Sequence, residues 1–190
     1  EDTVAMSSVV QRLRDTFEPL ARQKGLQLEI SADAAAPTQL VVDNQRLQQI
    51  LKNLLANAIK FTEHGQVSLA VQSHGNGRVR FVVCDTGIGI AREQSEVIFE
   101  AFRQADGSTR RRYGGTGLGL SISRDLALRM GGSISVDSKL GHGTTTVTVE
   151  AGQFCASALK EIADAATAHA SFKVVRPALP KNCRIVSILC

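Results

Sequence analysis

Three groups of residues in this 190-residue chain have the types and spacing to do chemistry. The most distinctive is Tyr113-Gly114-Gly115-Thr116-Gly117-Leu118-Gly119-Leu120, which runs straight into residues 121–130. Across that junction Leu118, Ile122, Leu126 and Met130 recur every four residues, the spacing of one helical face. Glycine lets backbone N–H groups converge without a Cβ in the way, and a helix N-terminus adds unpaired donors and the positive end of a dipole. Such a junction suits an anion, most often phosphate; the plainer alternative is a flexible loop ahead of a core helix. Two familiar phosphate motifs do not fit. A P-loop places Lys after its last glycine, whereas Gly119 is followed by Leu120 and Ser121. A G-x-G-x-x-G fingerprint would need glycine where Leu120 stands.

The second group lies on one predicted helix. Asp43 can cap a helix that runs to about Thr62, with Leu47, Ile50, Leu51, Leu54, Leu55, Ala58 and Phe61 as its apolar stripe. Arg46, Asn53, Asn57 and Lys60 form a narrow polar row along the border of that stripe. Asn trails Ala in helix propensity by roughly 0.7 kcal/mol, because its amide competes for backbone hydrogen bonds. Two of them one turn apart ask for a reason. On a pocket rim, an amide oxygen is a neutral hard ligand suited to Mg²⁺, and Lys60 suits a phosphate; on a solvated face they would do nothing.

The third group begins at Asp85. Residues 67–71 and 79–83 flank His74-Gly75-Asn76-Gly77, a strong hairpin signal. Val79, Phe81 and Val83 share a face, and the period of two puts Asp85 on it. A buried carboxylate needs a donor. The glycines of Thr86-Gly87-Ile88-Gly89-Ile90 would let a flat ligand approach, and the exocyclic amine of adenine is a suitable donor. A turn aspartate bonding its own loop is the alternative.

These groups need a frame. Residues 4–24 are expected to be helical, with Val9, Leu13, Phe17 and Leu20 on one face and Gly25 as C-cap. Short strands are expected at 26–30 and 40–42, and a second hairpin at 133–137 and 144–149. Residues 91–113 are polar and arginine-rich and have the character of a lid pinned by Phe99 and Phe102. Its Arg110, Arg111 and Arg112 either close on a triphosphate or are solvated. The core domain is expected over 25–151, followed by a linker at 152–180 and an apolar run within 181–190 resembling the first strand of a further domain.

Composition narrows the classes. With 43% hydrophobic residues and no apolar run near the roughly 18 residues of a membrane span, the chain reads as soluble. Its net charge of +4 is partly local, with Arg110, Arg111 and Arg112 beside the glycine loop, whereas nucleic-acid binders usually spread charge along a face. Cys84, Cys155, Cys183 and Cys190 show no zinc spacing and suit a reducing compartment, so a cytoplasmic location is expected. The missing initiator Met suggests a piece of a longer protein.

Taken together, residues 53–61, 85–89, 99–102 and 115–120 resemble the N, G1, F and G2 boxes of the catalytic ATP-binding domain of bacterial sensor histidine kinases, in that order and over roughly residues 1–151. The resemblance implies a two-layer α/β sandwich, a mixed sheet covered on one face by helices, with ATP and Mg²⁺ as cofactors. It implies that Asn57 holds Mg²⁺ with help from Asn53, that Lys60 and Phe61 line the site, and that Asp85 accepts from the adenine amine beside Gly87 and Gly89. Gly115, Thr116, Gly117, Leu118 and Gly119 would cradle the phosphates, and Arg103 would steady the γ-phosphate. Related gyrase-type ATPases carry glutamate at the Asn53 position to activate water, so Asn53 favours transfer to a histidine over hydrolysis. None of His64, His74, His142 and His169 has the context of a phospho-accepting histidine. The implied partners are therefore a histidine-bearing dimerisation domain and a response regulator or receiver domain. Residues 181–190 resemble the first strand of a receiver domain, which would make the parent a hybrid kinase, either cytoplasmic or anchored in the inner membrane; an arbitrary linker is the alternative.

Overall fold

The structure, a computed structural model, describes residues 2–74, 78–100, 117–140, 144–151 and 153–154, the last two ranges as backbone. The chain opens with a short strand, β1 (Asp2–Ala5), and then helix α1 (Met6–Gln23). Met6, Val9, Leu13, Phe17 and Ala21 bury one face of α1 in the main core. Leu20, expected on that face, is 48% exposed. The contact line follows the i, i+4 row from Val9 to Ala21 and so drifts off Leu20 before the helix ends. Gly25 then adopts φ +71°, the left-handed geometry that closes a helix without a Cβ penalty.

β2 (Gln27–Ala32) and β3 (Gln39–Val42) lead into α2 (Asn44–Phe61). Asp43 caps α2 by accepting from the Arg46 N–H at 3.0 Å. The buried stripe of α2 includes Leu47, Ile50, Leu51, Leu54, Leu55 and Ala58, as expected, and adds Ile59, whereas Phe61 is only half-buried. β4 (Gln66–His74) and β5 (Arg78–Asp85) form the expected hairpin, longer at both ends than the apolar runs alone suggest. His74 thus closes a strand rather than standing in the turn. After two 3-10 turns, Arg92–Gln94 and Val97–Phe99, the described chain resumes before α3 (Gly119–Arg129), followed by β6 (Ser133–Lys139), β7 (Thr144–Ala151) and β8 (Gln153–Phe154).

The five-stranded sheet has the order β2-β4-β5-β7-β6. β2 runs parallel to β4 and the other neighbours are antiparallel, so the sheet is mixed. Leu69, Val71, Val79, Phe81 and Val83 point from it into one core shared with α1, α2 and Ala127 of α3. This is the α/β sandwich expected from the sequence. A second, small sheet of order β1-β3-β8 closes one end and takes in residues 2–5 and 153–154, which lie outside the strands that periodicity predicts. Among the described residues, no helix is long and apolar enough to cross a membrane.

Candidate functional site

Helix α2 positions most of the candidate residues. Its apolar stripe fixes its roll against the sheet, which leaves Asn53, Asn57, Lys60 and Phe61 half-buried along one border. Arg46, at the start of the same row, is exposed and pairs with Asp43 at 3.1 Å, so it belongs to the helix cap and not to the site. The Asn57 amide forms no hydrogen bond among the described residues. The Lys60 ammonium stands 5.1 Å from the centre of the Phe61 ring.

The far end of α2 meets the loop after β5. Ile88 N–H donates to the Phe61 carbonyl at 3.4 Å, and a Cβ added to Gly87 would overlap that carbonyl oxygen. Only glycine permits this approach. Gly89, at φ +73°, presses against the Lys139 carbonyl of β6 in the same way. Asp85 closes β5 with its side chain on the core face, 8% exposed. The turn reading of this aspartate is realised: its Oδ1 accepts from the Gly87 N–H at 2.8 Å, and its carboxyl is buried beside the glycine loop. Desolvation pushes its pKa from 3.8 to about 6, and the Gly87 hydrogen bond only partly offsets that rise.

The other end of the polar border meets α3. Asn53 Nδ2 donates to Ser123 Oγ at 2.8 Å, and Ser123 Oγ donates to the Gly119 carbonyl at 2.9 Å. A Cβ on Gly119 would overlap the Asn53 amide oxygen. Leu118 stands at the N-cap of α3 without a side-chain cap, and Gly117, at φ +70°, turns the chain into it. Among the described residues no side chain caps the first N–H groups of α3, whose first residue, Gly119, lies against Asn53 of α2. Ile122, expected on the buried stripe, is 40% exposed, while Ser123 and Ala127 are buried. The helix begins at Gly119 and rolls its small residues against α2, because close approach there requires them. Phe99 is buried, and the Arg124 guanidinium lies 5.6 Å from its ring centre, which ties the start of the arginine-rich segment to α3.

Asn53 and Phe61, eight residues apart on α2, thus touch the two glycine loops about 12 Å from each other at 1.5 Å per residue. Phe102, Arg103, Arg110, Arg111, Arg112, Gly115 and Thr116 lie outside the described residues, as do residues 181–190. Two contacts were not foreseen from sequence: Ser123, which lies in no motif, accepts from Asn53 Nδ2, and the Oγ1 of Thr86 accepts from the Gln66 N–H at 3.0 Å, which locks the glycine loop to β4. A shallow groove lined by Arg14, Asp15, Glu18 and Arg22 lies on α1, apart from these groups.

Residues 42–152 match the family described as histidine kinase-, DNA gyrase B-, and HSP90-like ATPase. The sensor histidine kinase AruS of Pseudomonas aeruginosa is 42% identical over 145 residues, which is 74% of this chain and 14% of that protein. The signal transduction histidine-protein kinase BarA of Escherichia coli K12 is 43% identical over 129 residues, 66% of this chain and again 14% of that protein. The chain therefore spans about a seventh of the length of these relatives. Among solved structures, full-length ShkA in complex with AMPPNP superposes with a TM-score of 0.72 at 36% identity, over 81% of this chain and 31% of that one. The catalytic domain of the histidine kinase ThkA gives 0.68 at 25% identity, over 80% and 95%. Sequence match and fold agree over the strands and helices that hold Asn53, Asn57, Asp85 and Gly119, and the chain belongs to the histidine kinase-, gyrase B- and HSP90-like ATPase family.

Proposed function

We propose that this chain is the ATP-binding catalytic domain of a sensor histidine kinase, acting in the cytoplasm on a histidine carried by a dimerisation domain outside it. The observation that carries this is the placement of Asn53 against Gly119 and of Phe61 against Gly87 on a single helix, with the buried Asp85 carboxyl between that helix and the sheet. Adenine would give its amine to Asp85 at the Gly87 end, and the phosphates would extend to the N–H groups at the start of α3. Lys60 would neutralise phosphate charge.

The residues fit Mg²⁺ held jointly by protein and nucleotide. Among the described residues no cluster of three His, Cys, Asp or Glu could hold a metal alone, yet the unengaged Asn57 amide offers the neutral oxygen that Mg²⁺ accepts alongside phosphates and water. When bound, the ion would neutralise developing phosphate charge. The chain's own part is to hold the nucleotide so that an imidazole nitrogen forms a bond to the γ-phosphorus as its bond to the β-γ bridging oxygen breaks and ADP leaves. Asn53, having no basic group, gives water no activation. A response regulator or receiver domain then takes the phosphoryl group. Arg103, Gly115 and Thr116 retain the roles the resemblance implies.

Calorimetry on this chain should show ATP binding strengthened by Mg²⁺. Asp85→Asn should weaken it by roughly 5- to 150-fold, the effect of leaving a buried polar group mispaired. Mixing with a separate dimerisation domain should then yield phosphohistidine. Tight binding without phosphohistidine would favour a docking or regulatory module of the same fold, and no binding by the parent chain would sink the reading.

A further inference from the structure

Ser123 belongs to none of the motifs above, yet its side chain is among the few polar groups in the core, 1% exposed. Its hydroxyl lies 2.9 Å from the Gly119 carbonyl and 2.8 Å from Asn53 Nδ2. A carbonyl oxygen can only accept, so the single hydroxyl proton points to Gly119 and only lone pairs remain for Asn53. The amide of Asn53 must then turn its NH₂ toward Ser123 and its Oδ1 away, to the side where a Cβ on Gly119 would sit. Gly119 opens α3, at the end of the glycine loop. The polarity of one buried hydroxyl thereby decides which end of a half-buried amide faces the loop.

We infer that Ser123 is a positioning residue, which fixes the Asn53 amide with its oxygen presented to the cation–phosphate end of the site and joins α2 to the first turn of α3. The inference rests on the ATP reading above. Without the hydroxyl the amide can turn over and present NH₂, which repels a cation instead of ligating it. The loss should therefore fall on the part of nucleotide affinity that depends on Mg²⁺. A merely structural serine would weaken binding alike with and without the ion.

The test compares the parent chain with Ser123→Ala and Ser123→Thr by calorimetry of ATP, with and without Mg²⁺, and by the exchange of the Asn53 side-chain amide protons in ¹H–¹⁵N spectra of the unliganded chain. Ser123→Ala should reduce the gain in affinity from Mg²⁺ about tenfold, the size of one polar contact to a charged partner, and leave Mg²⁺-free binding within about twofold. Ser123→Thr, which keeps the hydroxyl, should retain the gain. The Asn53 amide protons should be protected in the parent and exchange quickly in Ser123→Ala. An unchanged Mg²⁺ gain, an equal loss in both conditions, or equal proton exchange would overturn the inference. If Ser123→Ala does not fold, Ser123→Cys, similar in volume but a weak acceptor, carries the same expectations. A parent chain that binds no ATP defeats the ATP reading instead, and the proton exchange then decides the role of Ser123 by itself.

Discussion

Asp85 bonds its own turn and is the residue proposed to meet the ligand. Its buried carboxyl costs the unliganded fold stability whenever it ionises. Its pKa is about 6 in the folded chain and 3.8 when unfolded, so the folded state holds its proton more tightly. The contribution to stability is thus nil below pH 3.8, falls as pH rises toward 6, and above that stands at about 3 kcal/mol of destabilisation. Asp85→Asn should flatten this part of the profile, so denaturant unfolding from pH 4 to 7 should show the parent losing more stability than the variant. A ligand donor at the carboxylate favours the ionised form. ATP affinity should accordingly weaken by up to about tenfold from pH 7 to pH 5 in the parent beyond any change in Asp85→Asn; parallel profiles would separate Asp85 from the ligand. The inward aim of this residue was legible from strand parity. Its hydrogen bond to Gly87 was legible only as an alternative, because strand parity fixes the direction of a side chain and not its partner.

At the scale of elements, α2 is held at its C-terminal end by a group its own sequence does not reveal. Lys24, just past α1, donates to the Ile59 carbonyl at 2.6 Å and the Lys60 carbonyl at 2.8 Å. These are the acceptors a helix C-terminus leaves unpaired. Lys24→Met should cost about 1 kcal/mol and speed hydrogen exchange in the last turn of α2 while leaving the Asp43 end unchanged. Uniformly faster exchange along the helix would contradict a local cap. The elements themselves were legible where hydrophobic period and turn chemistry agree, as in the β4–β5 hairpin and the stripe of α2. What escaped depends on partners distant in sequence: β1 and β8 are too short to show a period and exist because β3 lies between them. Ile122 is exposed and Ser123 buried because the roll of α3 brings its small residues against Asn53 and does not follow the apolar spacing.

For the whole molecule, the order in which contacts can form follows from the sheet. The β4–β5 ladder is local, since residues 75–77 alone separate its strands. The parallel β2–β4 ladder spans α2, and the bond from Asn53 to Ser123 joins residues 70 apart. Loop closure makes distant contacts late, because their entropy is lost before they return any stability. The seam between α2 and α3 is then absent from the folding transition state. Stopped-flow kinetics should show Ser123→Ala refolding at the parent rate within about twofold and unfolding about fivefold faster; a slowed refolding limb would place that seam in the nucleus. A chain caught part-way through folding would own its central hairpin but not the seam between α2 and α3, so that the proposed nucleotide site is the last part of this domain to arrive and the first to go.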